Sequence, residues 1–124
     1  MKPAEKEKFA RNLFSSMNNR DFNDIENLLD ENVSFDFPGV KRTEGIRKTK
    51  IILSALLRKY PELVFSIHDI ILDEDRACVV WTNKGTDIKK DPYENSGITL
   101  LHFKAGRISF ISDYFKDTSF TLQS

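Results

Sequence analysis

The stretch Leu63–Lys116, LVFSIHDIILDEDRACVVWTNKGTDIKKDPYENSGITLLHFKAGRISFISDYFK, decides the fold. Apolar and polar residues alternate along much of it, and turn-forming clusters interrupt it at Asp73-Glu74-Asp75, Lys89-Lys90-Asp91-Pro92 and Lys104-Ala105-Gly106. The pattern predicts strands near residues 63–72, 76–88, 95–104 and 107–116. Links this short join antiparallel neighbours, so the four strands should form a meander. Upstream the period changes. Phe9, Ala10, Leu13, Phe14 and Met17 recur at helical spacing behind Pro3, which predicts a helix over residues 3–19. After the break at Asn18-Asn19-Arg20-Asp21, the residues Ile25, Leu28 and Leu29 predict a second, short helix ending near Asp30-Glu31-Asn32. Val33-Ser34-Phe35-Asp36-Phe37 alternates and stops at Pro38-Gly39, the mark of a short strand. Residues 44–60 put Ile46, Ile52, Leu53, Leu56, Leu57 and Tyr60 on one stripe and stop at Pro61, a third helix. Helices early and strands late make an α+β layout, with helices on one face of a sheet and the other face left to solvent or a second subunit.

Composition narrows the function classes. The 124 residues carry 19 Lys+Arg against 19 Asp+Glu, without the basic excess of a nucleic-acid binder. No apolar run reaches the ~18 residues of a membrane helix. The segment KPAEKEKFARN after Met1 is too charged for the core of a signal peptide, so a cytoplasmic protein is expected. Cys78, the single cysteine, can form neither an internal disulfide nor a multi-thiolate metal site. Ten of the fourteen aromatics are Phe, which suits a core or a cavity for an apolar ligand. No Gly-rich phosphate loop, metal-ligand spacing or nucleophile pattern is present, and neither a metal nor an organic cofactor is expected. The cluster Lys41, Arg42, Arg47, Lys48, Lys50, Arg58 and Lys59 reads as the solvated face of an amphipathic helix, or as a means of drawing an anion toward a pocket mouth.

The residues that could carry chemistry are acids set in apolar strands. Asp36 lies between Phe35 and Phe37, and Asp113 lies in Ile111-Ser112-Asp113-Tyr114-Phe115. A carboxyl on a buried face must find a partner or hold its proton more tightly, as a general acid or base requires near neutral pH. On an outward face it is merely solvated. Along residues 76–88 one face carries Cys78, Val80, Thr82, Lys84 and Thr86, and the other carries Val79, Trp81, Asn83 and Asp87. Alternation alone leaves open which face is inside.

Several strings resemble the nuclear-transport-factor-2-like superfamily, in its SnoaL-like and ketosteroid-isomerase-like branches. They are Met17-Asn18-Asn19-Arg20-Asp21, Asp36-Phe37-Pro38-Gly39 reaching Glu44-Gly45, and Phe103-Lys104-Ala105-Gly106-Arg107-Ile108. The resemblance covers nearly the whole chain. It implies a cone: a curved, mostly antiparallel sheet wrapped on three N-terminal helices around an apolar pocket, in a single domain over residues 1–124 that pairs as a homodimer.

Each branch implies its own site. Comparison with ketosteroid isomerases makes Asp36, nine residues before Gly45, the general base. It places Leu13 and Leu101 where those enzymes carry oxyanion donors, which argues against steroid isomerisation. Limonene-epoxide hydrolases resemble the chain at Asp113-Tyr114-Phe115-Lys116-Asp117, with Asp113 the general acid. There, Lys84 and Thr86 stand where the hydrolases have Arg and Asp. SnoaL-type polyketide cyclases point to Asp113 again, with His102 a loose match for a nearby His.

Isomerases and hydrolases alike put Val80, Thr82 and Lys84 inside the cone and Trp81 on the outer face, at the dimer contact. The resemblance therefore implies catalytic Asp36, Asp113 and Lys84, with a pocket lined by Leu13, Phe14, Met17, Phe37, Val80, Thr82, Leu101 and Phe115. The expected activity is acid/base isomerisation, cyclisation or hydration of a small apolar substrate. The alternative is a ligand-binding or dimerisation module without turnover. Neither nucleic acid nor membrane is an expected partner.

Overall fold

The alternation along residues 63–116 becomes four consecutive strands, and the helical stripes upstream become the layer that covers them. The computed structural model describes residues 1–119. In chain order the elements are α1 (Pro3–Asn18), α2 (Phe22–Leu28), β1 (Leu29–Asp36), β2 (Thr43–Glu44), α3 (Ile46–Lys59), β3 (Val64–Asp73), β4 (Arg76–Thr86), β5 (Pro92–Lys104) and β6 (Arg107–Phe115). They build one six-stranded sheet in the order β2-β1-β6-β5-β4-β3. The meander β3 to β6 is antiparallel throughout, as its short links require. β1 joins β6 in parallel, and β2 caps the edge antiparallel to β1.

Two elements differ from the sequence reading. The segment Asp30-Glu31-Asn32 is strand and not the end of a helix. Leu29 already has extended backbone angles (φ −98°, ψ 143°), and Leu29 and Val33 are both buried. The two-residue strand β2 was not anticipated, because Thr43-Glu44 is too short to show any periodicity. It is held by the pairing of Ser34 with Glu44, whose side chains meet at 2.6 Å.

The helices bury the stripes that defined them. Ala10, Leu13, Phe14 and Met17 of α1 and Leu53, Leu56 and Leu57 of α3 lie in the core with the inner face of the sheet. The corner after α1 is fixed by polar contacts. Asn18 behaves like an added strand residue: its amide donates to the Phe65 carbonyl at 3.0 Å and accepts from the Phe65 N–H at 2.8 Å. Arg20, in left-handed backbone geometry (φ 55°), donates to the carbonyls of Met17, Asn18, Tyr60, Pro61 and Leu63 at 2.9–3.2 Å. Burial there lowers the proton affinity of its guanidinium. The string Met17-Asn18-Asn19-Arg20-Asp21 therefore works as a structural clamp.

The parity of β4 is the reverse of the one the resemblance implied. Ala77, Val79, Trp81 and Asn83 are buried, while Thr82 and Lys84 are exposed and Val80 is only partly covered. The cause is the register with β5, which sets Trp81 opposite Gly97. A Cβ at Gly97 would lie 3.0 Å from the Trp81 ring and 2.1 Å from the Tyr114 carbonyl oxygen, so only glycine leaves room for the indole. Phe65 and Phe115 each meet that indole edge-on with centroids 5.2 Å away. Trp81 is thus a core residue, with its indole buried on the inner side of the sheet.

Gly97→Ala is accordingly expected to lower the unfolding free energy by roughly 1–3 kcal/mol, the usual range for overpacking. It should also shift Trp81 emission to the red; an unchanged denaturation midpoint and spectrum would refute this account of the register.

Candidate functional site

Alternation along β6 turns Ile111, Asp113 and Phe115 toward the helices, and the register places Asp113 opposite Thr99 of β5. Three polar groups then form a chain. Trp81 Nε1 donates to Thr99 Oγ1 at 2.9 Å, and Thr99 Oγ1 donates to Asp113 Oδ1 at 2.6 Å. The indole N–H is only a donor, so the hydroxyl accepts from one side and gives its single proton to the other. Oδ1 of Asp113 is thereby oriented. Among the described residues Thr99 is the carboxyl's sole hydrogen-bond partner.

Asp113 lines a cavity between the helices and the sheet, together with Met17, Leu56, Trp81, Phe115 and other apolar side chains. The residue as a whole is partly covered, and it stands among the residues of the cavity wall. Loss of hydration there raises the carboxyl's pKa from 3.8 to about 7. The Thr99 hydrogen bond works against that rise, and the negative charge of Asp36 adds to it. The cavity itself is small, about 20 Å³, enough for about one water. This conformation has no room for an organic guest until side chains move.

The two acids singled out in the sequence do not meet in the cavity. Asp36 pairs in register with Ser112, between the inward Phe35 and Phe37, and so lies on the outer face of the sheet. There it accepts from Ser112 Oγ at 3.0 Å and faces Arg42 at 3.7 Å. Arg42 in turn stacks over Phe110, 5.1 Å from the ring centroid. Lys84 is exposed on the outer face opposite Glu94, away from Asp113, as the reversed parity demands. Val80 and Thr82 share that face, where Thr82 Oγ1 lies 2.7 Å from His68 Nε2.

Of the remaining residues, Leu13, Phe14, Met17 and Phe115 line the cavity. Leu101 and Phe37 are buried in the core without lining it, Phe37 against Phe35 and Phe115. His102 is on the outer face beside Phe110, with ring centroids 4.7 Å apart. Sequence reasoning missed Thr99 and Trp81, the two groups that hold Asp113. The signal for them was Gly97, the strand position whose missing side chain marks where a large neighbour is received.

Comparison with known proteins agrees with this architecture. The SnoaL-like domain profile matches residues 10–111. A protein from Jannaschia sp. CCS1 designated a SnoaL-like polyketide cyclase superposes with a TM-score of 0.85, at 13% identity over 94% of this chain and 90% of that one. TerC, co-crystallised with polyporic acid, superposes at 0.81, with 15% identity over 90% and 92% of the two chains. A protein of unknown function from Burkholderia pseudomallei K96243 superposes at 0.83, with 17% identity over 93% and 92%. No curated protein matches the sequence. Among the described residues no helix is long and apolar enough to cross a membrane.

A raised carboxyl pKa has a thermodynamic signature. Between about pH 4 and pH 7 the unfolded chain ionises at Asp113 while the folded chain keeps its proton, so this group's contribution to stability falls as pH rises through that window. At about 1.4 kcal/mol per tenfold change in proton affinity, the effect is on the order of 4 kcal/mol. The difference in stability between Asp113→Asn and wild type should therefore grow in the variant's favour from pH 4 to pH 7 and then level off. A pH-independent difference in chemical denaturation would contradict the burial of this carboxyl.

Proposed function

Because the chain belongs to the SnoaL-like domain family, we propose that it transfers protons to a small apolar substrate, with Asp113 as the catalytic acid or base. The observation that carries this reading is a carboxyl of near-neutral proton affinity on the wall of an apolar cavity. With Oδ1 engaged by Thr99, the exchangeable proton falls to Oδ2. The donors of Trp81 and Thr99 are engaged in the chain that orients Asp113, and Leu13 and Leu101 offer none. Charge developing on a substrate oxygen is then best met by the proton of Asp113 itself, which favours the acid role. The reaction classes that fit are isomerisation, cyclisation and hydration by proton transfer. TerC's co-crystallisation with polyporic acid supports a small-molecule ligand for this fold. A cytoplasmic setting belongs to the same reading and suits the free thiol of Cys78.

The small cavity favours a second reading, in which the fold binds or dimerises without turnover. Its surface would be the outer sheet face, where Ile98 and Tyr114 are 36% and 54% exposed.

Carboxyl-detected NMR and native mass spectrometry separate the two. The acid/base reading expects Asp113 to titrate near pH 7. It also expects the purified protein to retain, or take up from a panel, an apolar compound that protects Phe115 and Met17 resonances from solvent-dependent shifts. An Asp113 titration in the ordinary range near ~4 would overturn it. A dimer that takes up no compound would favour the second reading.

A further inference from the structure

The basic cluster noted in the sequence is not used by the site around Asp113, and the structure gives part of it a place. Arg47, Lys50 and Arg58 lie along one side of α3, with Ile46 and Ile51 among them, and Phe22 and Glu26 of α2 form the facing wall. Between the two helices is an open recess of about 590 Å³, the size range of small-molecule sites. Ile51 is 57% exposed on its surface, although the core-facing side of α3 is satisfied by Leu53, Leu56 and Leu57. The recess is both apolar and unbalanced in charge. Glu26 is its single acid, and Lys50 Nζ already holds it at 3.0 Å. Arg58 Nε makes a long contact, 3.4 Å, to the Ser54 carbonyl within its own helix. Arg47 is exposed and makes no hydrogen bond or ion pair among the described residues.

We propose that the groove between α2 and α3 binds a single-chain anionic amphiphile, with its head group at Arg47 and its chain laid over Ile51 toward the stem of Arg58. The shape argues for a discrete molecule. An open recess between two helices can receive a chain along its floor, whereas a bilayer surface is met by a protruding face. Arg47 supplies a planar donor fork that matches carboxylate or phosphate oxygens. The long stem of Arg58 can cover the far end of an apolar chain. From residue 47 to residue 58 the helix rises about 16 Å, enough to lay an extended chain along it. This inference is independent of Asp113 and stands or falls separately from the catalytic reading.

The test is a titration of isotope-labelled protein with dodecanoate and with dodecyl phosphate, each below its micellar concentration, followed by amide NMR. Shifts are expected to concentrate in residues 22–26 and 46–58, with apparent affinity falling as salt rises. The double variant Arg47→Glu/Arg58→Glu, altered only at exposed positions, should keep its circular dichroism and weaken binding at least tenfold. Dodecyltrimethylammonium, with the same chain and the opposite head, should bind at least tenfold more weakly than dodecanoate. The proposal is overturned if the shifts centre on Trp81, Thr99 and Asp113, if the cationic amphiphile binds as tightly, or if no shift is seen. It is also overturned if the protein sediments with phosphatidylglycerol vesicles while the free amphiphiles leave it unchanged.

Discussion

The indole of Trp81 lies against the one position of β5 that has no side chain, and much of the interior is arranged around that contact. Gly97 admits the ring, and the ring occupies the space between β3, β6 and the helices through its contacts with Phe65 and Phe115. Its N–H is then placed where Thr99 can accept it, and Thr99 in turn faces Asp113 across the next pair of strands. A packing constraint and an electrostatic one are thus the same constraint. Were β4 rotated to its other parity, the interior would lose its largest side chain, and the Thr99 hydroxyl that orients Asp113 would lose its indole donor.

The sheet also separates two carboxyls that are close in space but differ in environment. Asp113 is desolvated on the inner face, where burial outweighs the Thr99 hydrogen bond and the proton is held. Asp36, on the outer face, has Ser112 and Arg42 and partial contact with water. Its charge still reaches Asp113 through the sheet and favours the protonated form there. The outer acid therefore tunes the inner one without entering the cavity, which is a different relation from a catalytic pair sharing a substrate.

Much of the architecture was legible because long periodic segments report themselves. The stripes of α1 and α3 and the four-strand meander follow directly from spacing and turn residues. The faces of the strands were harder, since a change of one residue in register exchanges inside for outside. The β5–β6 hairpin illustrates the difficulty. Its turn pairs Lys104 with Arg107, and counting outward from there would set Thr99 opposite Ser112. An irregularity between His102 and Phe103 shifts the register by one and brings Thr99 to Asp113 instead. A bulge of this kind depends on packing across strands and leaves no local mark. The parity of β4 is hidden for a related reason: alternation groups the residues that share a face without saying which face meets the helices.

Helix α1 is tied to the rest of the molecule at both ends. Near its start Lys6 donates to the Glu74 carbonyl in the β3–β4 turn, and at its finish Asn18 and Arg20 grip Phe65 and the chain between α3 and β3. A helix fastened this way acts as a strut and does not swing as a door. The interior of this protein is then adjustable in volume but not in outline. Its capacity is set by the bulk of side chains such as Met17, Leu56 and Phe115, and trimming one of them changes what the fold can hold while leaving the frame where it stands.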